Sequence, residues 1–419
     1  MKNSTDKKQR HIVSWVIFLP TLFVGFASLI AVVFPAFLLR TFGGLADNAQ
    51  IDPFEIGVWG WPILIANFIV FSLAVLYFKN YLPQIIHKLI RFVFNFEVSP
   101  QVAFVTIVII VGFYTAFSVG ELFDGKFDAD YYSIGKPWLE SFNFFKLPAG
   151  ELNRDVGHHL QIFFEVTSMQ IFGNYKAIPF IASIALPIMT YFLTAELTKK
   201  RFAGIVSMVI VLQSNLFLFY DTSISYPNFW ILFYLFSLYL IYKKWPFSAI
   251  TYVIATLTKG LTAIFFPVTL FLIFRSSIPK KKKTYLIISY AAIVILGASF
   301  LALTSSSLNP LEEKAFNTHN FVSGFSAFSI TFIDDGLILL FFLPLIVGLF
   351  IASRKGIVHA DSVMLLITVM LLSAPLLVGF SDHQNVPYRF VPVVVFFAIG
   401  TGILLSKSTK QLGLSSSIR

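Results

Sequence analysis

The sequence predicts an all-α polytopic membrane protein of about twelve transmembrane helices, and three observations predict it. Of 419 residues, 57% are hydrophobic and only 12% charged, with 50 Phe, too few charges to cover a soluble domain of this length. The apolar residues come in runs of about 17–25, the length of helix that crosses a hydrocarbon core. Segments of about ten residues with alternating polarity are missing, which excludes a transmembrane barrel. The absence of Cys excludes disulfides, thiolate metal sites, cysteine nucleophiles and palmitoylation. The net charge of +10 has no soluble face on which to gather, so no nucleic-acid partner is expected.

The apolar runs are 12–39, 61–78, 102–120, 178–197, 203–219, 227–242, 247–258, 261–274, 285–304, 336–353, 362–380 and 390–406. The first follows a charged segment but has no small-residue cleavage site and is too long for a signal-peptide core, so it reads as a permanent span. Twelve crossings put both termini on one side. That arrangement sorts most of the 31 Lys and Arg to the side of the termini and most of the 21 acids to the other, which predicts cytoplasmic termini in a multi-pass protein of the cell membrane. One misplaced span would invert every later loop and scramble this bias.

Two segments are amphipathic without being long enough to span. Residues 81–96 space His87, Lys88 and Arg91 among Ile, Leu and Phe, which suits a helix lying in the cytoplasmic headgroups. Residues 158–172 mix His158, His159, Gln161, Glu165 and Gln170 with aromatics, and an outer interfacial helix there keeps Lys199, Lys200 and Arg201 inside. The expected organisation is therefore a two-helix hairpin with its interfacial helix over 1–100, a transmembrane core over 101–406 with an outer loop at 121–177, and a short cytoplasmic tail over 407–419. Packing, bracing of the core or binding of a membrane partner are the roles open to the stretch 12–78.

Nearly every ionisable group falls in a loop or at a membrane end, and the span interiors as drawn contain none, which argues against an ion-coupled transporter. Asp124, Asp128 and Asp130 crowd the mouth of the third span. In a turn Asp128 and Asp130 can converge on one ligand or one divalent cation, and Asp128 can serve as a general base; a solvated acidic loop is the plainer reading. Tyr131 and Tyr132 beside them suit an interface or a substrate pocket. Lys259 stands alone on the outer side between two helices, as a phosphate-binding point charge or a snorkelling side chain. Arg389, preceded by Tyr388 and flanked by Pro387 and Pro392, can fork two hydrogen bonds to a phosphate or simply meet headgroups. Adjacent histidines on a helix diverge by about 100°, so His158 and His159 make a poor metal pair. Asp221, Asp334, Asp335, Glu312 and Glu313 lie in outer turns and read as solvated or capping. The lysines 280–283 read as a topology determinant that contacts anionic lipid.

Taken in order, these strings resemble the GT-C glycosyltransferase superfamily, in particular its protein O-mannosyltransferase and aminoarabinose-transferase branch, from about Val102 to Ser406. FDADYY at 127–132 stands where the family has an acidic motif of the Asp-Glu-x-x-Tyr kind, with the second acid displaced by one residue. HHLQIFFEVTSMQIFG at 158–173 is similar to its interfacial helix and Leu-Phe-Gly-like turn, and AELTKKRF at 195–202 to its basic span end. FLFYDTSISYP at 217–227 is similar to its next outer turn. Leu257-Thr258-Lys259-Gly260 matches its Leu-Thr-Lys-Gly signature, and Tyr388 to Pro392 is similar to its Tyr-Arg-Phe-x-x-Pro element, with one residue fewer before the proline.

The resemblance implies a polyprenyl-phosphate sugar donor, with Lys259, Arg389 and Arg154 on its phosphate and Lys136 a further cation. It implies Asp128 as the catalytic acid, with Asp130 sharing its work, and Tyr131, Tyr132, His158, His159 and Tyr388 lining the substrate pocket. A glycan, lipid or protein is the acceptor; a divalent cation, if one is used, falls to Asp128 and Asp130. A transporter, a lipid flippase or a non-catalytic membrane subunit is the competing expectation.

Overall fold

The computed structural model describes residues 2–37, 52–142, 158–224, 227–276, 278–304, 316–380 and 387–406. The described residues are helical, without strands. In chain order the helices are α1 (Lys2–Val33), α2 (Gly60–Phe78), α3 (Gln84–Asn95) and α4 (Pro100–Ser118), which runs on into the 3-10 turn Val119–Leu122. The acidic loop follows as α5 (Asp128–Asp130), a π-helical turn Tyr131–Gly135 and α6 (Lys136–Ser141). Next come α7 (His159–Phe172), α8 (Ala177–Thr198), α9 (Arg201–Leu212), α10 (Asn215–Phe219), α11 (Phe229–Lys243) and α12 (Trp245–Thr258). The 3-10 turn Gly260–Phe265 leads into α13 (Phe266–Arg275), then α14 (Lys280–Thr304), α15 (Thr318–Asp334), α16 (Gly336–Arg354) and α17 (Val358–Phe380), and the turn Pro387–Phe390 opens α18 (Val391–Leu404).

Six of these helices are long and apolar enough to cross a membrane: α1, α2, α4, α8, α16 and α17. Each of the twelve apolar runs is helical in its described part, but α9, α11, α13 and α18 are shorter apolar helices. The run 203–219 is broken: Ser214 leaves helical geometry and its hydroxyl accepts from Phe217 N, starting the separate α10. The spans as drawn also began α17 too late, for Asp361 and His359 belong to its first turns.

A helix apolar all round belongs at the centre of a bundle, and α18 is that helix, with Val391 to Ile399 all buried. Gly402 permits its close approach to α8 and α9, since a Cβ there would sit 2.4 Å from both Ser207 Oγ and Thr194 Cγ2; small residues let helix backbones meet in this way. Ser207 Oγ donates to Ala398 O at 2.7 Å across the same contact. On the other flank α1 packs against α15, α16 and α17, and its hydroxyls pair across: Ser14 with Ser353 at 2.7 Å and Thr21 with Thr368 at 2.6 Å. Ile17, Phe18, Val24, Leu29 and Val32 of α1 join the same apolar core as α18.

The helix α15 runs through a stretch expected to be loop. Its N-cap Asn317 donates its backbone N–H to Gly379 O at the end of α17, and its C-cap Asp335 accepts from Ser214 and Asn215 at the end of α9. Both ends of α15 therefore lie at the same end of the bundle.

Contacts between successive helix ends divide the bundle into two poles. At one, Lys200 Nζ donates to Phe94 O and Leu405 O, Lys199 and Lys243 hold Glu196, Arg275 holds Asp361, and Lys355 lies over Phe78. This basic pole collects the ends of α2, α8, α11, α13, α16 and α18. The opposite pole carries the acidic loop, Asp221, Asp335, Lys259 and Arg389.

Candidate functional site

The acidic loop is fixed by three buried or half-buried anchors. Lys176, 1% exposed, donates to Glu121 O, Asp124 O and Asp124 Oδ1 at 3.1, 2.7 and 3.0 Å. Burial alone would raise the Asp124 pKa, but Lys176 and the Lys126 backbone N–H outweigh it and hold the carboxyl below the ordinary range. Asn174 Nδ2 donates to Leu122 O at 2.8 Å, tying the loop to the turn before α8. Lys126 bridges Glu121 at 2.5 Å, and Thr222 Oγ1 donates to the same Glu121 oxygen at 3.3 Å.

On this frame Phe127 takes the left-handed conformation, φ 68°, which is uncommon for a bulky residue. It turns the chain so that Asp128 starts α5 half-buried, with its Oδ1 accepting from Tyr175 Oη at 2.6 Å. Burial and the neighbouring carboxylate push the Tyr175 phenol up, so it stays a donor. Tyr131 stacks on Tyr175 at 4.1 Å, while Tyr132 touches Tyr131 and is 65% exposed. The π-helical turn that carries both tyrosines is a geometry seen often at functional sites. Asp130 closes α5, and its side chain lies outside the described set.

The two isolated cations of the sequence meet. Lys259, 8% exposed, places Nζ 4.1 Å from the centre of the Tyr388 ring and hydrogen-bonds its hydroxyl. Arg389 Nε approaches the same hydroxyl at 3.4 Å. Lys259 is thus engaged with Tyr388 and is neither solvated nor snorkelling. Burial pushes its pKa down, Tyr388 opposes that, and the Arg389 charge adds to it. Arg389 Nη1 is buried with no hydrogen-bond partner among the described residues. A buried guanidinium nitrogen without an acceptor leaves a desolvation cost that an anion would relieve.

Stacked rings join the two halves of the site. Phe127 lies 5.9 Å from Tyr220 and nearly parallel to it, and Tyr220 meets Tyr388 edge-on at 6.2 Å. Asp128 and the cation pair are therefore the two ends of one aromatic bridge.

Several expectations change here. Asp221 is fully buried rather than solvated: Tyr114 Oη donates to it at 2.9 Å, its Oδ1 has no partner among the described residues, and burial, reinforced by Glu121, raises its pKa to about 7. Asp335 does cap, but buried, and burial raises it to about 6. The recess lined by Gln213, Ser214, Asn215, Asp334 and Asp335 belongs to that joint, and its lining does not include Lys259, Tyr388 or Arg389. His158 and His159 part company: His158 hydrogen-bonds Gln161 at 3.0 Å, and His159 lies against Phe142. Among the described residues Lys136 pairs with Glu140, at 3.8 Å on an exposed face, and is not brought to Lys259 and Arg389. Arg154, Asp382, His383, Glu312 and Glu313 lie outside the described residues.

Tyr175, Lys176, Asp221 and Glu165 are the polar residues that the sequence did not single out as site groups. Lys176 carried one available signal, a cation on the side from which the positive-inside bias removes cations. Among the described residues no three His, Asp or Glu side chains gather as a metal site would need. The chain matches no family model, no curated protein and no solved structure.

Proposed function

We propose that the chain is a membrane glycosyltransferase of the GT-C kind, moving a sugar from a polyprenyl-phosphate donor to an acceptor at the outer face of the cell membrane. In this reading the twelve apolar helices cross the bilayer with both termini cytoplasmic, the basic pole faces the cytoplasm, and the short helices lie at the centre, where neighbours rather than lipid cover their ends. The observation that carries the reading is the meeting of Lys259 and Arg389 on Tyr388, with Arg389 Nη1 buried and without an acceptor.

Two cations gathered on one phenol make a receptor for a phosphate monoanion or dianion. The apolar surface of the surrounding helices suits a prenyl chain. The acceptor's nucleophilic oxygen or nitrogen attacks the anomeric carbon while Asp128 takes its proton, and the bond from that carbon to the phosphate oxygen breaks. The electron pair leaves on the prenyl phosphate, where Lys259 and Arg389 neutralise the growing charge, the largest electrostatic contribution to the step. Tyr175 holds Asp128 in place by its 2.6 Å hydrogen bond. The exposed Tyr132 and the half-buried His158 and His159 stand nearer to where an acceptor would enter.

Mass spectrometry of lipids that copurify with the full chain and with a Lys259→Ala/Arg389→Ala double variant tests this. A prenyl-phosphate sugar retained by wild type alone supports the transferase and names its donor. Ordinary phospholipid alone in both moves the chain to the transporter or subunit classes.

A further inference from the structure

The basic pole holds a set of polar atoms without partners among the described residues, at the joint between α2 and α3. By helical periodicity Gln84, His87, Lys88, Arg91 and Asn95 fall within one arc of about 100° on α3, and the apolar residues take the rest of its circumference. Tyr77, in the last turn of α2, is buried and stacks on His87 at 4.8 Å. Arg91 lies near enough for its charge to act on the Tyr77 hydroxyl. Tyr77 Oη, His87 Nε2 and Arg91 Nε are each buried and without a hydrogen-bond partner among the described residues. No carboxylate among the described residues pairs with His87 or Arg91, and Lys355 brings a further cation to Phe78, 5.1 Å from its ring.

A phenol, an imidazole and a guanidinium turned into one joint, with positive charge around them, fit the oxygens of a phosphate. The same helix shows what carries that phosphate. Ile85, Leu89 and Phe92 recur at helical spacing and are 79%, 61% and 61% exposed, and the neighbouring α2 is apolar enough to cross a membrane and exposed along most of its length. Such a surface lies in the headgroup layer, where phosphate arrives attached to acyl chains.

We propose that the α2–α3 joint is a binding site for an anionic phospholipid, whose phosphate is held by Arg91, His87 and Tyr77 while α3 rests its apolar face among the acyl chains. The site is at the pole opposite Asp128 and stands whether or not the chain is a transferase.

The test is native mass spectrometry of the full chain in detergent with phosphatidylglycerol or phosphatidylcholine. Wild type should retain phosphatidylglycerol about tenfold better than phosphatidylcholine, and Arg91→Gln should remove most of that difference. Tyr77→Phe, which deletes one oxygen and keeps the ring, should weaken retention at an unchanged melting temperature. Lys88→Gln, on the open edge of the arc, should leave retention as it was. Equal retention by wild type, Arg91→Gln and Tyr77→Phe overturns the site. Loss following Lys88→Gln as strongly as Arg91→Gln also overturns it, in favour of a diffuse basic surface. Displacement by excess inorganic phosphate would reassign the joint to a free anion.

Discussion

At the basic pole Arg275 meets the buried Asp361 at 2.5 Å, and Asp361 also takes hydrogen bonds from Ser14 and Ser353. At the acidic pole Lys259 and Arg389 meet each other across Tyr388. Both are buried or half-buried cationic sites closed by elements distant in sequence. In the first, Asp361 cancels the charge of Arg275, so removing a partner leaves an uncompensated buried charge, although Arg275 Nε has no hydrogen-bond partner among the described residues. In the second, two like charges share one phenol, and Arg389 Nη1 has no hydrogen-bond partner among the described residues. A fold maintains such an arrangement when something outside the chain completes it, and strain of this kind gathers at functional sites.

The comparison can be broken in stages. Asp128→Asn should cut transfer by about a thousandfold, the scale of a lost general base, with donor retention and melting temperature unchanged; a turnover assay against the copurified donor reads it. Wild-type turnover would move catalysis to Asp130. Arg275→Ala should destabilise by about 3 kcal/mol, because it strands Asp361, and thermal unfolding in detergent would show it without a specific loss of donor. Lys259→Ala or Arg389→Ala should do the reverse, weakening donor affinity by about 2 kcal/mol and leaving stability unchanged or improved as the like-charge contact is relieved. Unchanged donor affinity in both variants would remove the phosphate assignment.

A pH series sharpens the contrast further. The Asp221 carboxyl is raised in the folded chain to about 7, so the native state holds its proton where the unfolded chain has lost it. Its stabilising contribution is full below the ordinary carboxylate range, declines as pH rises toward about 7, and is flat above that. Asp221→Asn should flatten that part of the stability curve, with the smaller slope from Asp335 remaining. An unchanged slope would place the titration elsewhere. The smallest effect belongs to Lys136→Ala, an exposed pair at 3.8 Å, which should stay within about 0.5 kcal/mol of wild type.

Apolar runs and charge sorting carried most of this architecture, because lipid demands long apolar helices and the poles demand opposite charge. What escaped them was what packing decides. The stretch THNFVSGFSAFSITFID interleaves Ser, Thr and Gly with Phe and looks like loop, yet it becomes α15 because Phe321, Phe325 and Phe332 join the core and Gly324 lets it press against Pro375. The break at Ser214 hides inside a continuous apolar run, since a serine hydroxyl that caps a helix looks no different in sequence from one that faces lipid. Asp221 sits in a turn, and only the helices around it decide whether a turn is wet or dry. Lys259 and Arg389 were legible singly; their meeting on Tyr388 depends on how α12 and α18 approach.

The helix that delivers the acidic loop shows a wide face to lipid. Phe104, Phe113 and Phe117 of α4 are 68%, 64% and 82% exposed, and Tyr114 to Asp221 ties it to the bundle ahead of the anchors on Glu121 and Leu122. A rod with so wide a lipid-facing side answers to the thickness of the hydrocarbon around it, tilting in a thin bilayer and standing straighter in a thick one. Tyr114 and the anchors on Glu121 and Leu122 stand between such a tilt and the loop that carries Asp128, so these few bonds set how far the acyl length of a host membrane would reach the geometry of the site.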